Sequence, residues 1–517
     1  MSHVDAIRQL RAGDLKAAYD RALDLLEQDR EDAKAWGIMS LVALEGGNPA
    51  KSLELSGKAL QFGDSSAITL AGRGRALLAT GRQDEARELA AALSPHGCES
   101  AVEADTLGVI LARTGLHAEA LPFFEAAIAD RPDHPQFLYN FATSLQFVGR
   151  LNEARAAYEK LLALAPGFHR ARLALVQLQE SSEHDLASVE RLFESNASDT
   201  EAALQLGHAA ARICEGRGDH REALAWLHRA KRRKIAEARH DRGWVERLFA
   251  AARNARGEVA DAPAMRAGSA PVFIVGMPRS GTTLVERIAS SHSQVATAGE
   301  LPDLALLAKR SSGVDGPHTL SPDVLEATFD ADWIGQTYRD RTARLSRGTA
   351  RLIDKMPFNF FFARHALASL PEARVIMVRR DPRDTVFANY RQLFATDFGY
   401  YDYAYDLEDT AHFVAHFARL ADHWRGVLPA ARYMEIHYEA LIRSQEEESR
   451  RLVSFLGLEW EDACLQFHRN AAPVATASSV QVRAPIHAKS VGQWQRYGED
   501  GERVDAALRR FGVELPG

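Results

Sequence analysis

Cysteine is scarce in this chain: Cys98, Cys214 and Cys464 are the only three in 517 residues. They are odd in number and far apart, which excludes a disulfide framework and fits thiols kept reduced. No apolar run approaches the roughly 18–20 residues needed to span a bilayer. The opening residues Met-Ser-His-Val-Asp-Ala-Ile-Arg lack a cationic start followed by a long apolar core. A cytoplasmic protein with no membrane partner is therefore expected. An overall basic balance is also missing, since the formal net charge is −7. Nucleic acid is accordingly not an expected partner, and any anion site must be a local basic patch. No histidine–cysteine cluster has metal-ligand spacing, so no metal is expected. Apolar residues are not lacking: at 46% they can fill cores, and the length calls for at least two domains.

The densest signal is Gly276-Met277-Pro278-Arg279-Ser280-Gly281-Thr282-Thr283. It follows the apolar run Val272–Val275 and precedes a segment with helical character from Leu284 to Ser290. Strand, glycine-bounded loop and helix form the layout of a phosphate-binding loop. Gly276, Gly281 and Thr283 fit the triphosphate-binding template, but Thr282 stands where its lysine belongs. That lysine reaches the outer phosphates of ATP or GTP, so its loss argues against triphosphate chemistry. Arg279 offers a cation from within the loop instead. The site suits a phosphate carrying something other than a transferable phosphoryl group.

The first half repeats. Gly13, Gly47, Gly81, Gly115 and Gly149 are 34 residues apart, and five positions after each comes a small residue: Ala18, Ser52, Ala86, Ala120 and Ala154. Phe124 and Tyr158 keep the register, as do Pro132 and Pro166. This is the tetratricopeptide (TPR) signature of paired helices, with glycine at the turn, the small residue at the close approach and proline at the end of a repeat. The register fails at Glu183 and returns one residue late at Gly218 and Ala223. Six or seven repeats, the later ones irregular, are expected to about residue 240. Such an array offers a concave face for a protein or peptide partner. The basic run Lys231-Arg232-Arg233-Lys234 reads as a solvated helix face, and Ala251–Ala270 as the end of the solenoid plus a linker.

The second half carries further motifs in order: Ala298-Gly299-Glu300, Asp354-Lys355-Met356-Pro357, and a buried-strand run Arg374–Val378 leading into Arg379-Arg380-Asp381-Pro382-Arg383-Asp384, with a helix expected to about Phe394. Then come the strand Arg432–Glu439, the segment Thr476–Ile486, and Ser490-Val491-Gly492-Gln493-Trp494. Together with the loop they resemble the sulfotransferase domain of bacterial TPR-sulfotransferases and, more distantly, tyrosylprotein sulfotransferase. The fold expected is an all-α TPR solenoid over 1–245, a solenoid end and linker over 246–270, and over 271–517 an α/β P-loop-type domain with a parallel central sheet.

The resemblance implies a donor, 3′-phosphoadenosine-5′-phosphosulfate (PAPS), with adenosine 3′,5′-bisphosphate as product. It implies that Arg279, Ser280, Gly281, Thr282 and Thr283 hold the 5′-phosphosulfate and that Arg380 binds the 3′-phosphate. The family's second 3′-phosphate ligand, a serine, is replaced by Ala388, with Asn389 or Arg391 as compensating candidates. It implies Glu300 as catalytic base, with Glu286 and Asp303 as fallbacks, and Lys355 as stabiliser of the departing phosphate. Tyr438 is placed near the nucleotide, and His437 on the opposite face of its strand. In the closing loop Ser478 is catalytic, and Ser479, Gln481 and Arg483 contact the cofactor; Lys489 adds charge. Other readings stand beside these. Glu300 could cap a helix near Pro302, Lys355 could be a surface lysine before a helix at Pro357, and the phenylalanines from Phe358 to Phe362 are simplest as core. The whole could be a P-loop kinase or NTPase, or a TPR scaffold with a non-catalytic nucleotide-binding domain. The acceptor, a hydroxyl or amine that includes a protein or peptide tyrosine, is not legible.

Overall fold

The computed structural model describes residues 2–178, 185–238, 240–263, 268–396, 399–470, 482 and 484–515, with only the backbone of Asp84. The chain divides into two compact units, Met1–Leu178 and Gln179–Gly517.

The first unit is helical throughout. Its helices are α1 (His3–Arg11), α2 (Leu15–Gln28), α3 (Ala33–Glu45), α4 (Pro49–Gln61), α5 (Ala67–Ala79), α6 (Gln83–Ala91), α7 (Ala101–Arg113), α8 (His117–Asp130), α9 (Pro135–Val148), α10 (Leu151–Leu164) and α11 (His169–Leu178). The five periodic glycines lie in the turns within successive pairs, each with φ between 73° and 90°. Only glycine enters that region without a steric penalty. The small residues five positions on are fully buried, as the helix–helix approach requires. Phe124 and Tyr158 are buried too, and a Cβ on Gly108 would sit 2.7 Å from the Phe124 ring, so that glycine makes room for the aromatic. Polar side chains start several helices: Asp14, Asp32, Asn48 and Ser100 each accept from a first-turn amide.

Helices α12 (Leu186–Ser195), α13 (Thr200–Gly216), α14 (His220–Glu237) and α15 (Arg242–Asn254) belong to the second unit. The turn between α13 and α14 carries Gly218 at φ 79°, followed by buried Ala223. One expectation needs correction here. Lys231 is not solvated: it is buried, and its Nζ donates to the carbonyls of Tyr390 and Ala404, the latter at 2.7 Å. Burial pushes its pKa well down. Helix α15 runs to Asn254, within the stretch expected to hold the solenoid end and linker. Beyond it, Gly257 and Ala260 accept hydrogen bonds from Arg364 and Arg432, so this stretch is held against the α/β core.

The core of the second unit is a five-stranded parallel sheet of order β2-β3-β1-β4-β5. The strands are β1 (Ala270–Gly276), β2 (Val295–Thr297), β3 (Arg351–Asp354), β4 (Arg374–Arg379) and β5 (Tyr433–His437). The branched residues of β1 and β4 are buried on both faces, as a sheet covered by helices demands. The connecting helices are α16 (Thr282–Ala289), α17 (Asp303–Ser312), α18 (Pro322–Glu326), α19 (Ala331–Thr342), α20 (Ala363–Ser369), α21 (Pro382–Tyr390), α22 (Leu407–Val427), α23 (Tyr438–Arg443), α24 (Gln445–Phe455) and α25 (Glu499–Arg510). Helix α21 ends four residues short of the expected Phe394. After β1 the chain builds one side of the sheet, then crosses to the other for β4 and β5. The crevice at the carboxyl end of β1 is thus the switch point where such sheets bind ligands. Among the described residues no helix is long and apolar enough to cross a membrane.

Candidate active site

The loop leaving β1 is shaped by its two glycines. Gly276 has φ 151°, and a Cβ there would lie 2.5 Å from the Val378 carbonyl of β4. Gly281 has φ 106° and is the N-cap of α16; a Cβ there would lie 2.5 Å from the Tyr438 ring. Arg279 takes a left-handed φ of 65° although it has a side chain. That costs about 1–2 kcal/mol and bends the loop around the amino end of α16, where the helix dipole favours an anion. Ser280, Thr282 and Thr283 are buried, and the Ser280 hydroxyl has no protein partner. Burial, followed by the guanidiniums of Arg212, Arg380 and Arg391, pushes Arg279 down to about 10.

Arg380, one residue past β4, reaches back to this loop. One amino group donates to the Arg279 carbonyl at 3.0 Å, the other to the Ser490 carbonyl, and the guanidinium lies over the Tyr438 ring at 5.0 Å. The neighbouring arginines are used otherwise. Arg379 pairs with Asp422 and Glu435, and Arg383 with Asp381 and Asp505. Asp384 accepts from the amides of Gly492 (2.7 Å) and Trp494 (3.0 Å), which fastens the C-terminal segment to α21. Glu439 accepts from the Asp381 amide at 2.9 Å. In the pair Tyr438-Glu439, the ring therefore packs on the loop and the carboxylate anchors α21. His437 is exposed and faces Glu435 at 3.7 Å.

Glu300 and Lys355, 55 residues apart, meet because β2 and β3 are parallel neighbours. Their pairing runs on past the strands: Ala298 N–H donates to Ile353, and Lys355 N–H to Gly299, both at 2.8 Å. The Lys355 ammonium touches Glu300 Oε1 and lies 3.9 Å from Glu286 Oε2 on α16. Lys355 is 1% exposed, not a surface lysine, and Glu300 is 40% exposed, so a buried cation holds an open carboxylate. Glu300 does not cap α17, whose N-cap is Pro302. Of the fallbacks, Glu286 is buried, accepts from Thr297 Oγ1 at 2.5 Å, and has a pKa raised chiefly by burial. Asp303 is paired with Arg341 at 2.8 Å. Phe358 lies in a 3₁₀ turn, Pro357–Phe362, and packs on Tyr400 and Tyr401 at 5.3 and 5.5 Å. The Glu300 charge helps raise the pKa of both tyrosines, after their burial. This wall beside Glu300 has no sequence signal.

Around position 388 the two compensating candidates separate. Asn389 is buried and braces the loop, donating to the Pro278 carbonyl at 2.8 Å while accepting from Tyr403 at 2.9 Å. Arg391 instead lines a cavity of about 520 Å³ with Arg212, Glu215, Lys489, Arg496 and Tyr497. Glu215 accepts from Arg391 at 2.5 and 2.7 Å and from Arg212 at 3.0 Å, and it is the single acid in that lining. Arg212 and Glu215 come from α13, outside every motif, and only their fold neighbours reveal them. Ser478, Ser479, Gln481 and Arg483 lie outside the described residues.

A parallel sheet with an anion-cradling loop at its switch point, and a Lys–Glu pair at the next strand end, defines a group-transfer domain. Residues 271–462 match the Sulfotransferase family and residues 135–168 match a tetratricopeptide repeat. Residues 271–462 thus carry a sulfotransferase-family domain, in an architecture that joins TPRs to it. It is 31% identical over 393 residues to an uncharacterized protein of Aquifex aeolicus, covering 73% of this chain and 51% of that one. It is 25% identical over 235 residues to a protein-tyrosine sulfotransferase of Drosophila melanogaster, covering 43% and 46%. The chain spans about half the length of these two relatives. A solved sulfotransferase domain from the curacin biosynthetic pathway matches with 17% identity and a TM-score of 0.34, covering 49% of this chain and all of that one.

Proposed function

We propose that the chain transfers a sulfuryl group from PAPS to a hydroxyl or amine of an acceptor, and that the TPR region recruits a protein or peptide. The observation that carries this reading is the buried Lys355 ammonium, which holds the exposed Glu300 carboxylate and lies 3.9 Å from Glu286, one turn into the helix that leaves the loop. The orphaned Ser280 hydroxyl supports the fit of a phosphosulfate oxygen, because a buried hydroxyl without a partner is costly. The bound donor supplies a sulfur–oxygen bond to phosphate that breaks as the bond from sulfur to the acceptor forms. Glu300 takes the acceptor's proton. Lys355 and the amides at the start of α16 meet the negative charge left on the phosphate, and Arg279 adds to them. A sulfonate carries one negative charge, so this cation set serves without a metal. Arg380, with Arg391 and Arg212 in place of the missing serine, receives the 3′-phosphate, to which a guanidinium forks well. Tyr438 lines the nucleotide. Ser478, with Ser479, Gln481 and Arg483, is assigned to the closing loop by resemblance alone. The similarity to the Drosophila protein-tyrosine sulfotransferase makes a tyrosine hydroxyl the first acceptor to try.

The test is transfer of label from PAPS to a panel of tyrosine peptides and simple phenols. Glu300→Gln keeps shape and removes the base, so transfer is expected to fall about 10²–10⁴-fold with donor affinity nearly unchanged. A folded variant working at the wild-type rate would move the role to Glu286, Asp303 or His437. No transfer by the wild type to any acceptor offered, together with no binding of the bisphosphate, would overturn the reading.

A further inference from the structure

On the α15–α22 face, His412, His416 and Glu246 bring three ligating atoms within 4.8 Å of one another. His412 and His416 stand one turn apart on α22, and Glu246 comes from α15, 166 residues earlier than His412. His412 Nε2 is 3.2 Å from Glu246 Oε1 and also 3.2 Å from His416 Nε2. Both histidines are buried, whereas the Glu246 side chain is 59% exposed.

The protons do not work out. An imidazole nitrogen has one in-plane position, which holds either a proton or a lone pair. If His412 Nε2 carries the proton and gives it to Glu246, it has no lone pair for His416. If it keeps the lone pair, it faces a carboxylate, and its proton sits on Nδ1, which is buried without a partner. No neutral tautomer makes both 3.2 Å contacts good hydrogen bonds. A cation shared by the three atoms resolves this. Bonds of about 2.0–2.1 Å in a tetrahedron put ligand atoms about 3.3 Å apart, close to both contacts.

We propose that Glu246, His412 and His416 bind a divalent transition metal, zinc in the first instance, that pins α15 to α22 and leaves a fourth position to solvent. Two imidazoles and one carboxylate are borderline donors of the kind zinc prefers, and they suit calcium or magnesium poorly. Two features limit affinity. Neither Nδ1 has a hydrogen-bond acceptor, and a missing outer partner costs about 10–100-fold. Arg253 and Arg419 add positive charge, whereas that of Arg242 is met by Asp409 and Glu408. The sequence showed no such cluster because the third ligand is remote.

The experiment uses the full chain, stripped with chelator and titrated with Zn²⁺, with the visible spectrum of a Co²⁺ substitute as second readout. One equivalent is expected to bind in the micromolar range. With zinc about a hundredfold above the dissociation constant, the melting temperature should rise by about 5 °C. Glu246→Gln changes an exposed side chain, so it should fold, and it should lose at least tenfold in affinity. His412→Gln should do the same, while His318→Gln, an exposed histidine elsewhere, should change nothing. No saturable equivalent in the wild type, or one that persists unweakened in Glu246→Gln and His412→Gln, overturns the proposal and leaves a buried histidine pair packed against Phe249 and Phe511.

Discussion

The turn glycines of the repeats and the glycines of the β1–α16 loop share a positive φ but differ in what surrounds them. A Cβ on Gly13, Gly47, Gly81 or Gly115 would meet nothing within 4 Å. A Cβ on Gly276 or Gly281 would strike the Val378 carbonyl or the Tyr438 ring at 2.5 Å. In the repeats the backbone needs glycine for its conformation alone. In the loop it also needs the space, because another strand and an aromatic ring close in to shape an anion site. The first use recurs with a period, whereas in the β1–α16 loop both glycines meet a neighbour at 2.5 Å.

Three substitutions test this contrast, in descending order of effect. Gly276→Ala adds strain and a clash with backbone that cannot swing away, each about 1–3 kcal/mol. A drop in stability of about 3 kcal/mol or more, with loss of nucleotide binding, is expected from denaturant melts and calorimetry. An unchanged melt would mean that the loop is looser than its contacts indicate. Arg380→Ala removes a guanidinium that braces the loop and that we propose receives the 3′-phosphate. Affinity for nucleotides with a 3′-phosphate should fall about 10–100-fold, corresponding to the 1.5–3 kcal/mol typical of charged hydrogen bonds. The 3′-dephosphorylated analogue should lose much less, and equal losses would remove the 3′ assignment. Gly47→Ala should cost about 1 kcal/mol through its left-handed φ and leave nucleotide affinity alone; a change in that affinity would break the contrast.

The same difference governs what the sequence discloses. The repeats are legible because glycine and the small residue recur 34 residues apart, and their burial follows from that spacing. The loop is legible because its glycines sit between an apolar run and a helix. That Glu300 meets Lys355 depends on β2 pairing with β3, which no local pattern contains; only the resemblance pointed to both residues. Arg212 and Glu215 were not legible, since α13 carries no motif and approaches Arg391 only in the folded chain. Lys231 misled for a related reason. A run of four basic residues reads as a wet face, yet one turn of α14 buries its first lysine against two carbonyls while Arg232 and Arg233 remain exposed.

The central claim, that the loop and its arginines receive a nucleotide bearing a 3′-phosphate and no transferable phosphoryl group, is tested most directly by calorimetry on the full chain. Adenosine 3′,5′-bisphosphate and ATP are titrated with and without magnesium. The lysine-free loop and the cations Arg279, Arg380, Arg391 and Arg212 predict that the bisphosphate binds without magnesium and much more tightly than ATP. Tight, magnesium-dependent binding of ATP with no binding of the bisphosphate would contradict it.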